Sequence, residues 1–303
     1  MIELIKNPRI DFLGKKYIAF TLSGILSILG IIAIVQISRG HANLGIDFAG
    51  GTAIQLKFEK PVVLHNVRLA LEKGGLKDID LQDLPTENKI LIKMKKSEEE
   101  LGHGADAITA VLSREFPDNT YVVDSTTVIG PKVGGRLRAD AAKAIAVAVI
   151  GLLVYVAFRF QIRFGIGATI ATFHDVLAVL GLFYIMGKEI NLILVTALLT
   201  IAGYSLTDTV VVFDRIRENL KLKQKEDVQT VMNNSINEVL SRTIITSTTV
   251  LITSLALFLF GGEVIHDFSL AMIMGVIVGT YSSIFVASPI VLLWGGKRPF
   301  AKK

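Results

Sequence analysis

Six apolar stretches, each long enough to cross a bilayer, constrain this chain more than any other feature. They lie at residues 17–37, 140–158, 164–186, 191–213, 243–262 and 268–294. About 20 helical residues cover a hydrocarbon core roughly 30 Å thick. The composition agrees: of 303 residues, 51% are hydrophobic and 19% charged, and the mean hydropathy is +0.55. Those values suit a multi-span membrane protein and not a soluble domain. The second stretch is the weakest, because Lys143 sits inside it. Near a surface its long stem reaches the headgroups. The first stretch exceeds the length of a secretory h-region, and no A-x-A-like site follows it, so it reads as a retained anchor helix.

The positions of Lys and Arg set the orientation. Residues 1–16 carry Lys6, Arg9, Lys15 and Lys16, and the segment after the second stretch carries Arg159 and Arg163. Between the fourth and fifth stretches lie Arg215, Arg217, Lys221, Lys223, Lys225 and Arg242, and residues 295–303 carry Lys297, Arg298, Lys302 and Lys303. The short intervening loops 187–190 and 263–267 hold only Lys188, and the long segment 38–138 balances 14 basic against 14 acidic residues, a length that crosses largely regardless of charge. Both termini are therefore expected in the cytoplasm, residues 38–138 outside it, and residues 139–294 as the five-helix remainder of the bundle. The net charge of +5 is then a topology signal made against membrane lipid, and no nucleic-acid partner is expected. The chain has no cysteine, which excludes disulfides and thiolate zinc. Its histidines lack H-E-x-x-H spacing, so no metal is expected.

Residues 38–138 read as β-α-β-β-α-β. Residues 52–58 alternate apolar and polar side chains like a half-buried strand, and 62–73 carry apolar residues at helical spacing before Gly74-Gly75, a helix stop. Residues 77–84 and 89–94 read as strands joined by a turn at 85–88. Residues 97–116 open with Ser97 and Glu100, a capping-box signature, and 120–128 read as a last strand rich in Val and Thr. The order predicts an external α+β, ferredoxin-like domain between the first and second membrane helices. Ahead of its first strand stands GIDFAGGT, residues 45–52. Gly45, Gly50 and Gly51 suit a tight turn, and Asp47 suits bonding to nearby backbone amides. No catalytic constellation stands out, and no phosphate-binding G-x-x-x-x-G-K-[ST] is present.

Asp208 is the only acidic or basic residue in 191–213. A charge in a lipid-embedded helix costs roughly 2.5 kcal/mol or more, so such a residue faces the bundle interior or a water-filled path. Arg242, at the head of the next stretch, is the candidate counter-charge. The pair fits either a proton relay or a polar lock between helices. His174 and Asp175 fall mid-way along the third stretch; about 100° apart on a helix, they are expected not to share a face, and relay and packing roles both stay open. The fourth and fifth stretches add Tyr204, Ser205, Thr246, Ser247, Thr249 and Thr253, expected mostly as interhelical glue. In the sixth, Gly275, Gly279, Ser283 and Ala287 form a small-residue stripe, expected to let another helix of the same bundle approach closely.

GIDFAGGT, His174-Asp175-Val176, DTVVVFDRIREN at 208–219 and Ser241-Arg242-Thr243 together resemble the sequence blocks of the SecF family. That family supplies one subunit of the bacterial SecDF protein-export complex and is related to the proton-driven RND transporters. The resemblance runs through almost the whole chain in order. It implies a multi-pass protein of the bacterial plasma (inner) membrane, a SecD partner, the SecYEG channel with its SecA motor, and an unfolded preprotein as cargo. It implies protons as coupling ion, no other cofactor, no enzymatic activity, and Asp208 and Arg242 as the coupling residues. The other readings are an RND-type small-molecule exporter and a non-transporting assembly scaffold.

Overall fold

The computed structural model describes residues 8–76, 79–84, 88–95 and 103–294. In chain order the elements are α1 (Lys16–Ser38), α2 (Ile46–Ala49), β1 (Gly51–Phe58), α3 (Leu64–Lys73), β2 (Ile79–Leu84), β3 (Lys89–Met94), α4 (Gly104–Glu115), β4 (Tyr121–Ile129), α5 (Pro131–Arg159), α6 (Ile162–Ile185), α7 (Leu192–Leu222), α8 (Val228–Phe260), α9 (Glu263–Ser282), a π-helical turn (Ser283–Ala287) and α10 (Ser288–Trp294). They divide into two units. One is Leu44–Ala144 with Glu189–Leu192; the other holds the rest of the chain.

The first unit is an antiparallel sheet of order β2-β3-β1-β4, the split βαβ arrangement expected from the sequence. Alternation in TAIQLKF buries Ile54, Leu56 and Phe58. In register with them, Ile54 opposes Ile92 and Leu56 opposes Ile90. These side chains join Val67 and Leu71 of α3 and Ile108 and Leu112 of α4 in one core. β4 lies at the sheet edge and is largely exposed. The expected strand start at 77–78, the turn at 85–87 and the capping box at Ser97 and Glu100 lie outside the described residues.

The second unit is helical. Among the described residues, six helices are long and apolar enough to cross a membrane: Leu13–Ser38, Pro131–Arg159, Ile162–Ile185, Leu192–Leu222, Val228–Phe260 and Ile265–Trp294. The chain is thus a polytopic membrane protein. Three helices outrun their apolar stretches. α5 begins at Pro131, a favoured first helical residue, and its first turns carry Lys132, Arg136 and Asp140. α7 continues to Leu222 and α8 starts at Val228, so most of the basic segment expected as a loop is a polar helical hairpin. Asn219 Nδ2 donates to Ser235 Oγ at 2.9 Å, Arg215 Nε to Glu238 Oε2 at 2.5 Å, and Asp227 caps α8 by accepting from Thr230 N at 3.0 Å. Apolarity reports contact with lipid, not helicity. The segment before α1 is likewise docked: Ile10 N donates to Asn237 Oδ1 at 3.0 Å and Phe12 N to Asn233 Oδ1 at 2.8 Å.

α1 and α6 approach so closely that a Cβ on Gly30 would stand 2.3 Å from Leu177 O, and one on Gly181 2.6 Å from Gly30 N. Glycines at such crossings let backbones pack directly. The small-residue stripe of α9 does the same toward α7. A Cβ on Gly275 would meet Ile201 Cδ1 at 2.4 Å, and one on Gly279 would meet Ser205 Cβ at 3.3 Å.

Candidate functional site

Where α9 enters the π-helical turn, four consecutive residues each reach another helix. The Thr280 hydroxyl lies 2.7 Å from Ser247 Oγ on α8, which also accepts from Tyr204 OH of α7 at 2.9 Å. Tyr281 OH donates to Ala19 O of α1 at 2.9 Å. Ser282 Oγ donates to Asp175 Oδ2 of α6 at 2.7 Å, and Ser283 Oγ to Asp208 Oδ2 of α7 at 2.6 Å. π-helical turns break the regular helix ladder and are frequent at functional sites.

Asp175 is fully buried and Asp208 nearly so. Ser205 of α7 also donates to Asp175 Oδ2. On its other oxygen, Asp175 Oδ1 lies 2.8 Å from His174 Nδ1. The two neighbours therefore do meet, against the expectation from their 100° offset. That offset describes the Cβ directions; the ring and the carboxylate bend toward each other because both are buried on the inner side of α6. His174 Nε2 is buried and has no hydrogen-bond partner. Beside Asp208, the Thr243 hydroxyl of α8 is within reach but makes no hydrogen bond. Among the described residues, no Lys or Arg forms an ion pair with Asp175 or Asp208.

Arg242 precedes Thr243, yet its side chain is exposed and takes no acidic partner among the described residues. The structure does not bring Asp208 and Arg242 together as a pair; the serine at 283 occupies the position expected of the arginine. Most fifth-helix threonines bond their own backbone, Thr246 Oγ1 to Arg242 O at 2.9 Å and Thr249 Oγ1 to Thr246 O at 2.7 Å. Only Ser247 of that series crosses to other helices in these bonds. Thr280, Tyr281 and Ser282 escape sequence reading, because hydroxyls are common and inexpensive in membrane helices.

In the other unit, Gly45 and Asp47 bind the segment Glu189–Leu192, while Gly50 and Gly51 lead into β1. Gly45 N donates to Ile190 O at 3.1 Å, and Asp47 Oδ2 accepts from Leu192 N, the first residue of α7, at 3.2 Å. Asp47 thus accepts from a backbone amide 145 residues away instead of one in its own turn. Gly50 and Gly51 have φ of 79° and 149°, and a Cβ on Gly51 would stand 2.3 Å from Met94 O, so only glycine fits there. Lys93 Nζ donates to Glu189 Oε2 at 2.6 Å. Burial pushes the Glu189 carboxyl above its ordinary value, although Lys93 pulls it down. Among the described residues, no group of three or more His, Asp or Glu is placed to hold a metal.

Buried carboxylates inside a six-helix bundle, joined to an external ferredoxin-like unit, define a membrane-protein class, and comparison with known proteins narrows it. The family model "Protein export membrane protein SecD/SecF, C-terminal" matches residues 109–297, and "SecD/SecF GG Motif" matches residues 42–62. The "Protein translocase subunit SecF" of Thermodesulfovibrio yellowstonii is 60% identical over 297 residues, covering 97% of this chain and 98% of that protein. The same-named protein of Calditerrivibrio nitroreducens is 45% identical, covering 96% of each. The crystal structure of SecDF, a translocon-associated membrane protein from a Thermus species, superposes with a TM-score of 0.80 at 37% identity. It covers 95% of this chain, which spans 39% of that longer one. The chain belongs to the SecF family of protein translocase subunits, and its work lies in Sec-related protein export.

Proposed function

We propose that the chain, paired with a SecD-type subunit, couples the proton motive force to preprotein translocation and release on the outer side of the plasma membrane. The SecYEG channel and the SecA motor are its working partners. Both termini lie in the cytoplasm and the ferredoxin-like unit outside, as the alternation of basic segments requires. The observation that carries this reading is Asp208: a buried carboxylate held by a hydroxyl, with no basic residue among the described ones paired to it. Keeping that site charged is expensive in a low-dielectric bundle, so it favours taking up a proton. Moving one charge across the field is worth about 2.3 kcal/mol per 100 mV. Repeated protonation and release at Asp208 then biases the bundle between two packings. Arg242, one residue from Thr243, pairs with the carboxylate in the other packing.

Asp208→Asn tests this. The variant should assemble with its partner and support ATP-driven translocation in membrane vesicles. Its gradient-stimulated export should fall to the level seen without a gradient. Normal stimulation in the Asn variant would remove Asp208 from the coupling path. Loss of assembly would favour the polar-lock role.

A further inference from the structure

Asp175 and Asp208 each meet a serine hydroxyl that has a second acceptor in reach. Ser282 Oγ is 2.7 Å from Asp175 Oδ2 and 3.1 Å from Gly279 O, three residues back in its own helix. Ser283 Oγ is 2.6 Å from Asp208 Oδ2 and 3.1 Å from Thr280 O. A hydroxyl carries one proton to donate and lone pairs to accept with. Toward an ionised carboxylate the serine donates. When the carboxylate takes a proton from water, an O–H bond forms at Oδ2 and that acid becomes the donor to Oγ. The serine proton then turns to the backbone carbonyl. Neither state leaves the serine hydroxyl or the carboxyl oxygen it meets unpaired, which would otherwise be penalised.

Asp175 has the other attributes of a proton site. It is fully buried, and among the described residues its only possible cationic partner is His174. With Nδ1 engaged by Asp175, the buried Nε2 of His174 is left without a partner, an open position for an incoming proton or water. The titratable groups facing the two carboxylates are His174 on α6, Tyr204 on α7 and Tyr281 on α9, besides the carboxylates themselves; Arg242 on α8 points to the exposed side.

We propose that Asp175 is a second proton-binding site beside Asp208, and that Ser282 and Ser283 are positioning residues that hold the two carboxylates in both protonation states. Because the serines are consecutive at the head of the π-helical turn, a change at one carboxylate is transmitted to the other through a single turn of helix. Proton binding at Asp175 stands independently of the proposed function; only the use made of that proton rests on it.

Infrared difference spectra of the full-length protein in lipid, taken between acidic and alkaline conditions, test the proposal. Two protonated-carboxyl bands are expected from the bundle, one lost in Asp175→Asn and the other in Asp208→Asn. Ser282→Ala should move the Asp175 band to higher frequency, as a lost hydrogen bond does, and leave the other in place. Ser283→Ala should do the converse, and Thr at either position should restore the band. The absence of any band sensitive to Asp175→Asn overturns the second site, whether or not the serine variants accumulate. Bands unmoved by either alanine overturn the positioning role. A missing Asp208 band with the Asp175 band present would instead break the coupling reading given above and leave this site standing.

Discussion

The external unit and the membrane bundle both bury apolar side chains, but they differ in what else they bury. In the ferredoxin-like unit the interior is apolar: Ile54, Leu56, Ile92, Ile108 and Leu112 are sealed, while Gln55 and Lys57 between them turn outward. In the bundle the sides facing away from the protein are apolar too; a core around Phe164, Phe213 and Ile216 is buried, and the close helix crossings add glycine, serine and acid. The helices sort accordingly. In their most apolar stretches, α6, α7 and the last span bury 61%, 56% and 61% of their residues, against 22%, 11% and 17% for the first span, α5 and α8. Asp175 and Asp208 both fall on the inner set, with their serines. Water around the first unit drives apolar groups inward. Lipid removes that drive, so close backbone approach and hydrogen bonds decide what faces inward.

The contrast predicts different weak points. The largest effect is expected from volume lost in the external core. Leu56 is fully buried on β1, and Leu56→Ala should cost about 2–5 kcal/mol. Amide exchange of β1 and β3 in the full-length protein should speed up, while the membrane helices keep their protection. A bundle that loosens equally would show that the two cores are not separate. In the bundle, added volume should do the damage. Gly181→Ala puts a methyl against the backbone of Gly30 and should cost about 1–3 kcal/mol, read as a lower melting temperature of the detergent-solubilised protein. The same change at Gly151 of α5, where a Cβ meets nothing within 4 Å, should be silent. Equal effects at both glycines would break the contrast.

Legibility followed the same division. The sheet was readable because alternation and a water boundary coincide in TAIQLKF and KILIKM. The membrane helices were readable only along their apolar stretches. The polar ends of α5, α7 and α8 were lost, since their stability comes from caps and pairs such as Asn219 with Ser235. Asp208 announced itself as a lone charge among apolar neighbours. Its partner did not: an arginine in the next stretch is conspicuous, whereas Ser283 reads as one small residue in a packing stripe. The π-helical turn that presents Ser283 has no compositional mark. Asp47 was recognised as a backbone binder, but periodicity within one segment says nothing of a target at Leu192.

The smallest expected effect lies at Glu189, where a buried charge sits in the otherwise water-facing unit. Its Oε2 is paired with Lys93, while Oε1 is buried without a hydrogen bond. Burial outweighs the lysine and raises the carboxyl above its ordinary value of 4.5. A folded-state value above the unfolded one means that the folded unit holds the proton more tightly. The resulting contribution is fully present below pH 4.5 and is lost as pH rises through the folded-state value, the reverse of an ordinary salt-bridged carboxylate. Glu189→Gln keeps the shape and removes the titration. It also leaves Lys93 without its carboxylate, so the net change at neutral pH should be small, about 1 kcal/mol or less. The discriminating measurement is the pH dependence. Protection of the amides of β3 and of residues 189–192 in the wild type, corrected for intrinsic exchange, should weaken from mildly acidic to neutral pH. In the Gln variant that slope should flatten. A wild-type slope of the opposite sign would mean that Lys93 wins over burial, and that even here charge pairing governs what is tolerated inside.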